Sequence, residues 1–246
     1  MAVDKVMRYA MIRRATLRVQ KSSKVRRSNL LLAKEVSALD RQDYKSNISW
    51  HDTDKYVNAH FNDVYNIEEN PKTKVSAARF VTAFDLYDSK NKLTLFSGDL
   101  FFPSNLSTYY EGEQMIKPFN RLNVDISCLG NHELDNGIEK CAELIAQTNC
   151  PWILSNLLET EKGNRPISGV EPCRIVEHQG FKIGCIGFSD EAWTDQFNPD
   201  INCDILKYVD YNESLRKYSK ILKEQGADLI IALNHMRKPE DLDMAQ

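Results

Sequence analysis

Six polar side chains in four short strings carry the chemistry this sequence offers. They are Asp63 in FNDVY, Asp99 in SGDLFFPS, Asn131, His132 and Asp135 in CLGNHELD, and His235 in LNHM. The strings follow apolar runs with strand character. In an open α/β sheet, ligands gather beyond the carboxyl ends of the strands, so side chains in these places converge. Carboxylate and amide oxygens mixed with imidazole suit Mn, Fe or Zn better than calcium, which takes oxygen almost exclusively. Gly98 lets the backbone turn sharply after its strand and aim Asp99 outward. Two residue-level alternatives stand beside this reading: His235 after a buried strand either caps the core or ligates, and Asp135 or Asn136 serves as the N-cap of a helix starting at 137.

The four strings, taken in this order, resemble the metal-binding skeleton of the calcineurin-like metallophosphoesterases, 5′-nucleotidase-like branch. PWILSNL at 151–157, FKIGCIGF at 181–188 and DEAW at 190–193 extend the resemblance over about residues 57–246. It implies an α/β fold, a layered α/β/β/α metallophosphoesterase sandwich. The implied activity is hydrolysis of nucleotides or other phosphomonoesters by a water activated between two divalent ions (Mn, Zn, Fe or Mg). The resemblance assigns Asp63, Asp99, Asn131 and His235 as metal ligands, with Asp99 bridging. It sets His132 facing the phosphate and its leaving oxygen, with Asp135 orienting it. An imidazole held by a carboxylate stays cationic and stabilises a departing alkoxide.

Two departures from that pattern matter. The first block usually reads Asp-x-His, and here it reads Asp63-x-Tyr65; a neutral tyrosine, with a pKa of about 10, is a poorer ligand than imidazole. A later Gly-His-x-His type loop with two further ligands is absent before Gln246. The expectation is therefore a chain that lacks the C-terminal part of the sandwich and holds at most one metal ion well. The alternative function is a catalytically impaired or inactive phosphoesterase-like interaction protein.

The 246 residues suffice for one sizeable core. Residues 1–50 hold 12 Lys/Arg against 4 Asp/Glu, net +8, which leaves −11 on the remaining 196. We read residues 1–50 as a basic N-terminal extension, part helical over LLLAKEVSAL at 30–39, and 51–246 as the N-terminal portion of the phosphoesterase domain. Six cysteines without a C-x-x-C pair read as reduced structural thiols. No apolar stretch is long enough to span a membrane and the Arg-rich start does not form a secretory core, so the expected location is cytoplasmic. The expected partner is a small-molecule phosphoester or nucleotide, with no strong sign of nucleic-acid or membrane binding.

The positioning elements follow from hydrophobic patterning. Strands are predicted over 57–61, 92–97, 124–129, 152–155, 173–178, 182–188 and 227–233, and helices over 73–87, 111–121, 137–148 and 210–225, with Gly226 as a C-terminal stop. Strand alternating with helix implies mostly parallel pairing at the centre. Residues 159–169 read as a surface loop. His51, His60 and His178 fall outside the matched positions and read as solvated or structural.

Overall fold

The computed structural model describes residues 9–12, 49–53, 56–71, 74–85, 92–193 and 205–245. The predicted helix at 30–39 and Cys203 lie outside the described residues. In chain order the first elements are β1 (Tyr9–Ile12), β2 (Ser49–Thr53), β3 (Tyr56–Phe61), α1 (Ala77–Asp85), β4 (Lys92–Ser97), α2 (Ser107–Tyr110), α3 (Ile116–Arg121), β5 (Ile126–Cys128), α4 (Gly137–Ile145) and β6 (Trp152–Ile153). The short strands β7 (Leu157–Glu159), β8 (Arg165–Pro166) and β9 (Val170–Glu171) follow. The chain continues with β10 (Cys173–His178), β11 (Phe181–Ser189), β12 (Leu206–Tyr208), α5 (Tyr211–Glu224), β13 (Leu229–His235) and α6 (Lys238–Met244).

Two sheets form the centre. One has the order β2-β3-β4-β5-β6-β9 and is parallel except for the β2–β3 hairpin. The other has the order β1-β13-β11-β10, with β13 parallel to both its neighbours and β10 antiparallel to β11. Every residue of β4 from Leu93 to Ser97 is buried, as expected for a parallel strand covered on both faces. On one face Phe61 and Phe96, opposite each other in register, meet Phe119 of α3, and Phe61 also meets Phe80 and Phe84 of α1. Alternate residues of the second sheet divide between two cores. Ile183, Cys185, Ile231 and Leu233 pack with the first sheet's residues, and Ile186, Phe188, Ile230 and Ala232 pack with Tyr218 and Leu222 of α5. This is the period-2 pattern of a strand buried between two layers. The result is the α/β/β/α layering that the resemblance implies.

The sheets approach closely at Gly187, where a Cβ would lie 2.5 Å from the Ile153 carbonyl and 2.9 Å from Cys128 Sγ. Of the helices, α5 matches its sequence signals, whereas the predicted 111–121 helix is a 3₁₀ turn over Glu113–Met115 followed by α3, and α2 and α6 have no predicted counterpart. α5 begins at Asp210, whose Oδ1 accepts the Glu213 N–H at 2.9 Å, and ends before Gly226 at φ 87°. Residues 157–166 depart from the predicted loop: β7 and β8 pair antiparallel, and the buried Glu159 carboxylate accepts the Ser168 N–H at 2.7 Å. Turn-forming residues there mark the tip of a hairpin, not a structureless span. The described cysteines are free, and burial raises the thiol pKa of Cys128, Cys141 and Cys185, as expected of structural thiols. Among the described residues no helix is long and apolar enough to cross a membrane.

Candidate metal centre

One device places two carboxylates. Asp63 and Asp99 each lie two residues beyond a parallel strand, β3 and β4, and each adopts the left-handed backbone conformation, φ 57° and 65°. Aspartate is among the few residues with a side chain that visit this region readily. The ladder continues past the strands: Asp63 N–H donates to the Gly98 carbonyl at 3.0 Å, and Val64 N–H donates to the Asp99 carbonyl at 2.9 Å. The two carboxylates are thereby held side by side, with exposures of 5% and 4%. Gly98, at φ 87°, and Gly130 complete the arrangement: a Cβ on Gly98 would fall 2.3 Å from Gly130 N, and a Cβ on Gly130 would fall 2.2 Å from Asp99 Oδ1. Glycine at both positions is therefore a steric requirement of the two loops' approach.

His235 arrives from the other sheet as the last residue of β13. Its Nδ1 lies 2.6 Å from the Ser97 carbonyl, an atom that only accepts, so Nδ1 carries the proton. Nε2 then faces Asp99 Oδ2 at 3.2 Å. A ring lone pair against a carboxylate oxygen demands a cation, either a proton on Nε2 or a divalent ion. One ligand atom each from Asp63, Asp99 and His235 can be chosen so that all three lie within 4.8 Å of one another. An imidazole fixed through its other nitrogen by a backbone carbonyl, beside buried carboxylates, is a donor set that fits a divalent metal. The buried Asp99 carboxyl stays below the usual carboxylate range: burial opposes its charge, but His235 and then His132 outweigh it.

Burial likewise opposes the charge on His235, and the Asp99 and Asp63 carboxylates with the Ser97 carbonyl overcome it, raising the imidazole pKa to about 9. A group raised in the folded state above its unfolded value of about 6.5 contributes stability below that pH, and the contribution is lost as pH rises through the folded value. The metal-free protein is therefore expected to lose on the order of 3 kcal/mol between about pH 6.5 and 9. Urea denaturation across that range measures the loss. Saturating Mn²⁺, which takes the place of the proton, is expected to flatten it. A metal-free stability that is flat or rises over the same range contradicts the assignment.

The GNHELD segment closes the rim. His132 N–H donates to Asp99 Oδ1 at 3.1 Å, which sets the turn containing Asn131 and His132 against the carboxylates. Asn131 opens a 3₁₀ turn over His132–Leu134, and its side chain makes no capping hydrogen bond there. The imidazole Nδ1 of His132 lies 2.9 Å from Asp135 Oδ2, both side chains about one-third exposed at 34% and 31%. The Asp135 hydrogen bond raises the His132 pKa against the opposing effect of burial, with Asp99 adding to the rise. Asp135 is helical and closes the 3₁₀ turn, while Asn136 precedes α4 without a side-chain cap, so the capping alternative does not hold for either. Tyr65 presents its ring edge-on to His132, with ring centroids 6.3 Å apart. His60, by contrast, is buried and bonds through Nε2 to Ser97 Oγ at 2.8 Å, a structural role.

Sequence reasoning missed four residues around this centre. Glu133 is 1% exposed, and its carboxylate accepts backbone N–H groups from Asp99, Leu100, Phe101 and Gly130. Burial first, and the nearby Asp99 charge second, push its pKa up to about 7 against the pull of those N–H donors. Asp190 accepts from Arg237 through the backbone N–H at 3.0 Å, Nε at 2.8 Å and Nη2 at 3.1 Å. Trp193 donates its indole N–H to the His235 carbonyl at 3.1 Å and sets its ring edge against the imidazole. The DEAW string thus braces the turn that carries His235. Opposite charges at Asp190 and Arg237 become a readable signal once β11 and β13 are known to be neighbours.

No protein-family model matches the chain. A probable 5′-nucleotidase of Treponema pallidum is 31% identical over 163 residues, covering 65% of this chain and 26% of that protein. Among solved structures, a 5′-nucleotidase precursor from Thermus thermophilus superposes with a TM-score of 0.64 at 24% identity, over 76% of this chain and 38% of that one. A calcineurin-like phosphoesterase from Bacillus subtilis gives 0.57 at 20% identity, over 72% of this chain and 60% of that one. By sequence the chain is a distant homologue of the 5′-nucleotidases. The two structures establish the fold, and the sequence likeness establishes distant homology to 5′-nucleotidase hydrolases. This homologue spans roughly a quarter to a third of the length of the curated relatives it matches, 26% of the Treponema protein and 30% of a snake venom 5′-nucleotidase from Naja atra.

Proposed function

We propose that this 5′-nucleotidase homologue is a metal-dependent phosphoester hydrolase acting on nucleotides or other phosphomonoesters. One observation supports the reading above the others: carboxylates from two loops of one sheet and an imidazole from the other meet at a single rim, beside a second imidazole held by its own carboxylate. Asp63, Asp99, Asn131 and His235 are the residues proposed to hold the metal. A divalent ion held there supplies an activated water at neutral pH and neutralises charge on the phosphoryl oxygens.

The protein's own groups do the rest. Asp99 fixes the His132 turn through its Oδ1, so the metal ligands and the His132–Asp135 pair keep one geometry. With Nδ1 engaged by Asp135, His132 offers its Nε2 proton to a leaving alkoxide, and its raised pKa keeps that proton available near neutral pH. The exposed edge of the pair leaves room for a substrate to approach.

Turnover of p-nitrophenyl phosphate and AMP by the purified chain with Mn²⁺ tests the proposal. Activity is expected that disappears on chelation and returns with added Mn²⁺. Tyr65 at the place where imidazole is usual motivates a second reading, a phosphoesterase-like interaction protein without turnover. Silence with every divalent ion tried, in a folded protein, favours that reading and sinks the hydrolase.

A further inference from the structure

We infer that Glu133 is a positioning residue for the metal centre, clamping the loop that carries Asp99 to the loop that carries Asn131. This deepens the proposed function and rests on it. The geometry divides the carboxylate between two tasks. Oε2 accepts both the Asp99 N–H at 2.8 Å and the Gly130 N–H at 2.6 Å, so one oxygen joins the two loops directly. Oε1 accepts the Leu100 N–H at 2.6 Å and the Phe101 N–H at 3.4 Å, fixing the chain just beyond Asp99. The Asp99, Leu100 and Phe101 donors belong to a segment that left-handed Gly98 and Asp99 carry past the end of β4, where its carbonyls still accept from Asp63 and Val64 but its N–H groups need a buried acceptor from elsewhere.

A carboxylate is the side chain that meets this need. It accepts at both oxygens and donates at neither, while four N–H donors converge on it. A glutamine in its place puts an NH₂ group against two of those donors in either orientation of the amide. Because Asp99 and Asn131 flank the clamp in the chain, a shift in either loop moves a proposed ligand. Glu133 touches neither the proposed ion nor a substrate; it acts through the two loops. Residues that orient metal ligands from behind typically change metal affinity by about 10- to 100-fold when altered.

Mn²⁺ binding to the metal-stripped full chain, measured by calorimetry, tests this inference in the wild type, Glu133→Gln, Glu133→Asp and Glu159→Gln. Glu159 is another buried carboxylate that accepts a backbone N–H, in the β7–β8 hairpin, and controls for a general loss of stability. The expected result is Mn²⁺ affinity weakened about 10- to 100-fold in both Glu133 variants, with Glu159→Gln near the wild type. If Glu133→Gln fails to fold, Glu133→Asp keeps the charge but is too short to reach both loops, and its affinity decides. Slow hydrogen exchange at the Asp99, Leu100 and Gly130 amides of the wild type is also expected, and rapid exchange there overturns the clamp without any variant. A wild type that binds Mn²⁺ alongside folded Glu133 variants of equal affinity overturns the clamp alone. A wild type that takes no Mn²⁺ overturns the metal-centre reading and the clamp with it.

Discussion

Asp99→Asn is expected to reduce Mn²⁺-dependent hydrolysis by about 10³-fold or more, since the charge stabilisation supplied by a bound divalent ion is worth several kcal/mol. Asparagine is the informative replacement because it keeps the shape and tolerates the φ of 65° at this position, where alanine would add backbone strain. The change removes one charge from a site where two carboxylates face an imidazole, and it leaves the Glu133 bond to the Asp99 backbone untouched. His235 loses the closest of the carboxylates that raise its pKa, so its titration is expected to move down. Both effects have readouts: steady-state kinetics for the first, and the NMR titration of the His235 ring for the second. Retention of full activity, or an unchanged His235 titration, contradicts the role given to Asp99.

His132→Ala is expected to show an effect that depends on the leaving group. General acid catalysis is worth about 10²- to 10⁴-fold, and it matters when the departing oxygen is a poor leaving group. AMP releases an alkoxide and should lose close to that full factor. Nitrophenolate leaves without a proton, so p-nitrophenyl phosphate should lose far less. Asp135→Asn removes the carboxylate that holds and charges the imidazole, and it should fall between the wild type and His132→Ala on AMP. The ratio of the two substrates' kcat values is the measurement. Equal losses on both substrates would show His132 acting on binding or folding instead of on the departing oxygen.

Much of this fold was legible because its strands are short apolar runs ending in unusual polar residues. KLTLFS before Gly98 and the run before His235 read as strands, and both were found, at Lys92–Ser97 and Leu229–His235. Asp63, Asp99 and His235 were legible for the same reason, since a residue just past a buried strand has little structural reason to be charged or aromatic-basic. The sheet to which each strand belongs was not legible. His235 bonds to the Ser97 carbonyl across 138 residues, and no local pattern encodes that distance. Glu133 was hidden for a different reason: its value lies in backbone N–H groups freed by left-handed residues elsewhere, and a single acidic residue in a short turn looks solvated. The 3₁₀ geometry of residues 132–134 buries Glu133 while leaving the His132 side chain about one-third exposed, a division that the local sequence does not announce.

Asp63, Asp99 and His235 are proposed to form one divalent-metal centre. Anomalous diffraction at the Mn edge from crystals grown with saturating Mn²⁺ tests it most directly. The expected result is an anomalous peak within about 2.5 Å of carboxylate oxygens of Asp63 and Asp99 and of His235 Nε2. Fully occupied Mn²⁺ at another place in the molecule, or no peak between these three side chains, would contradict it.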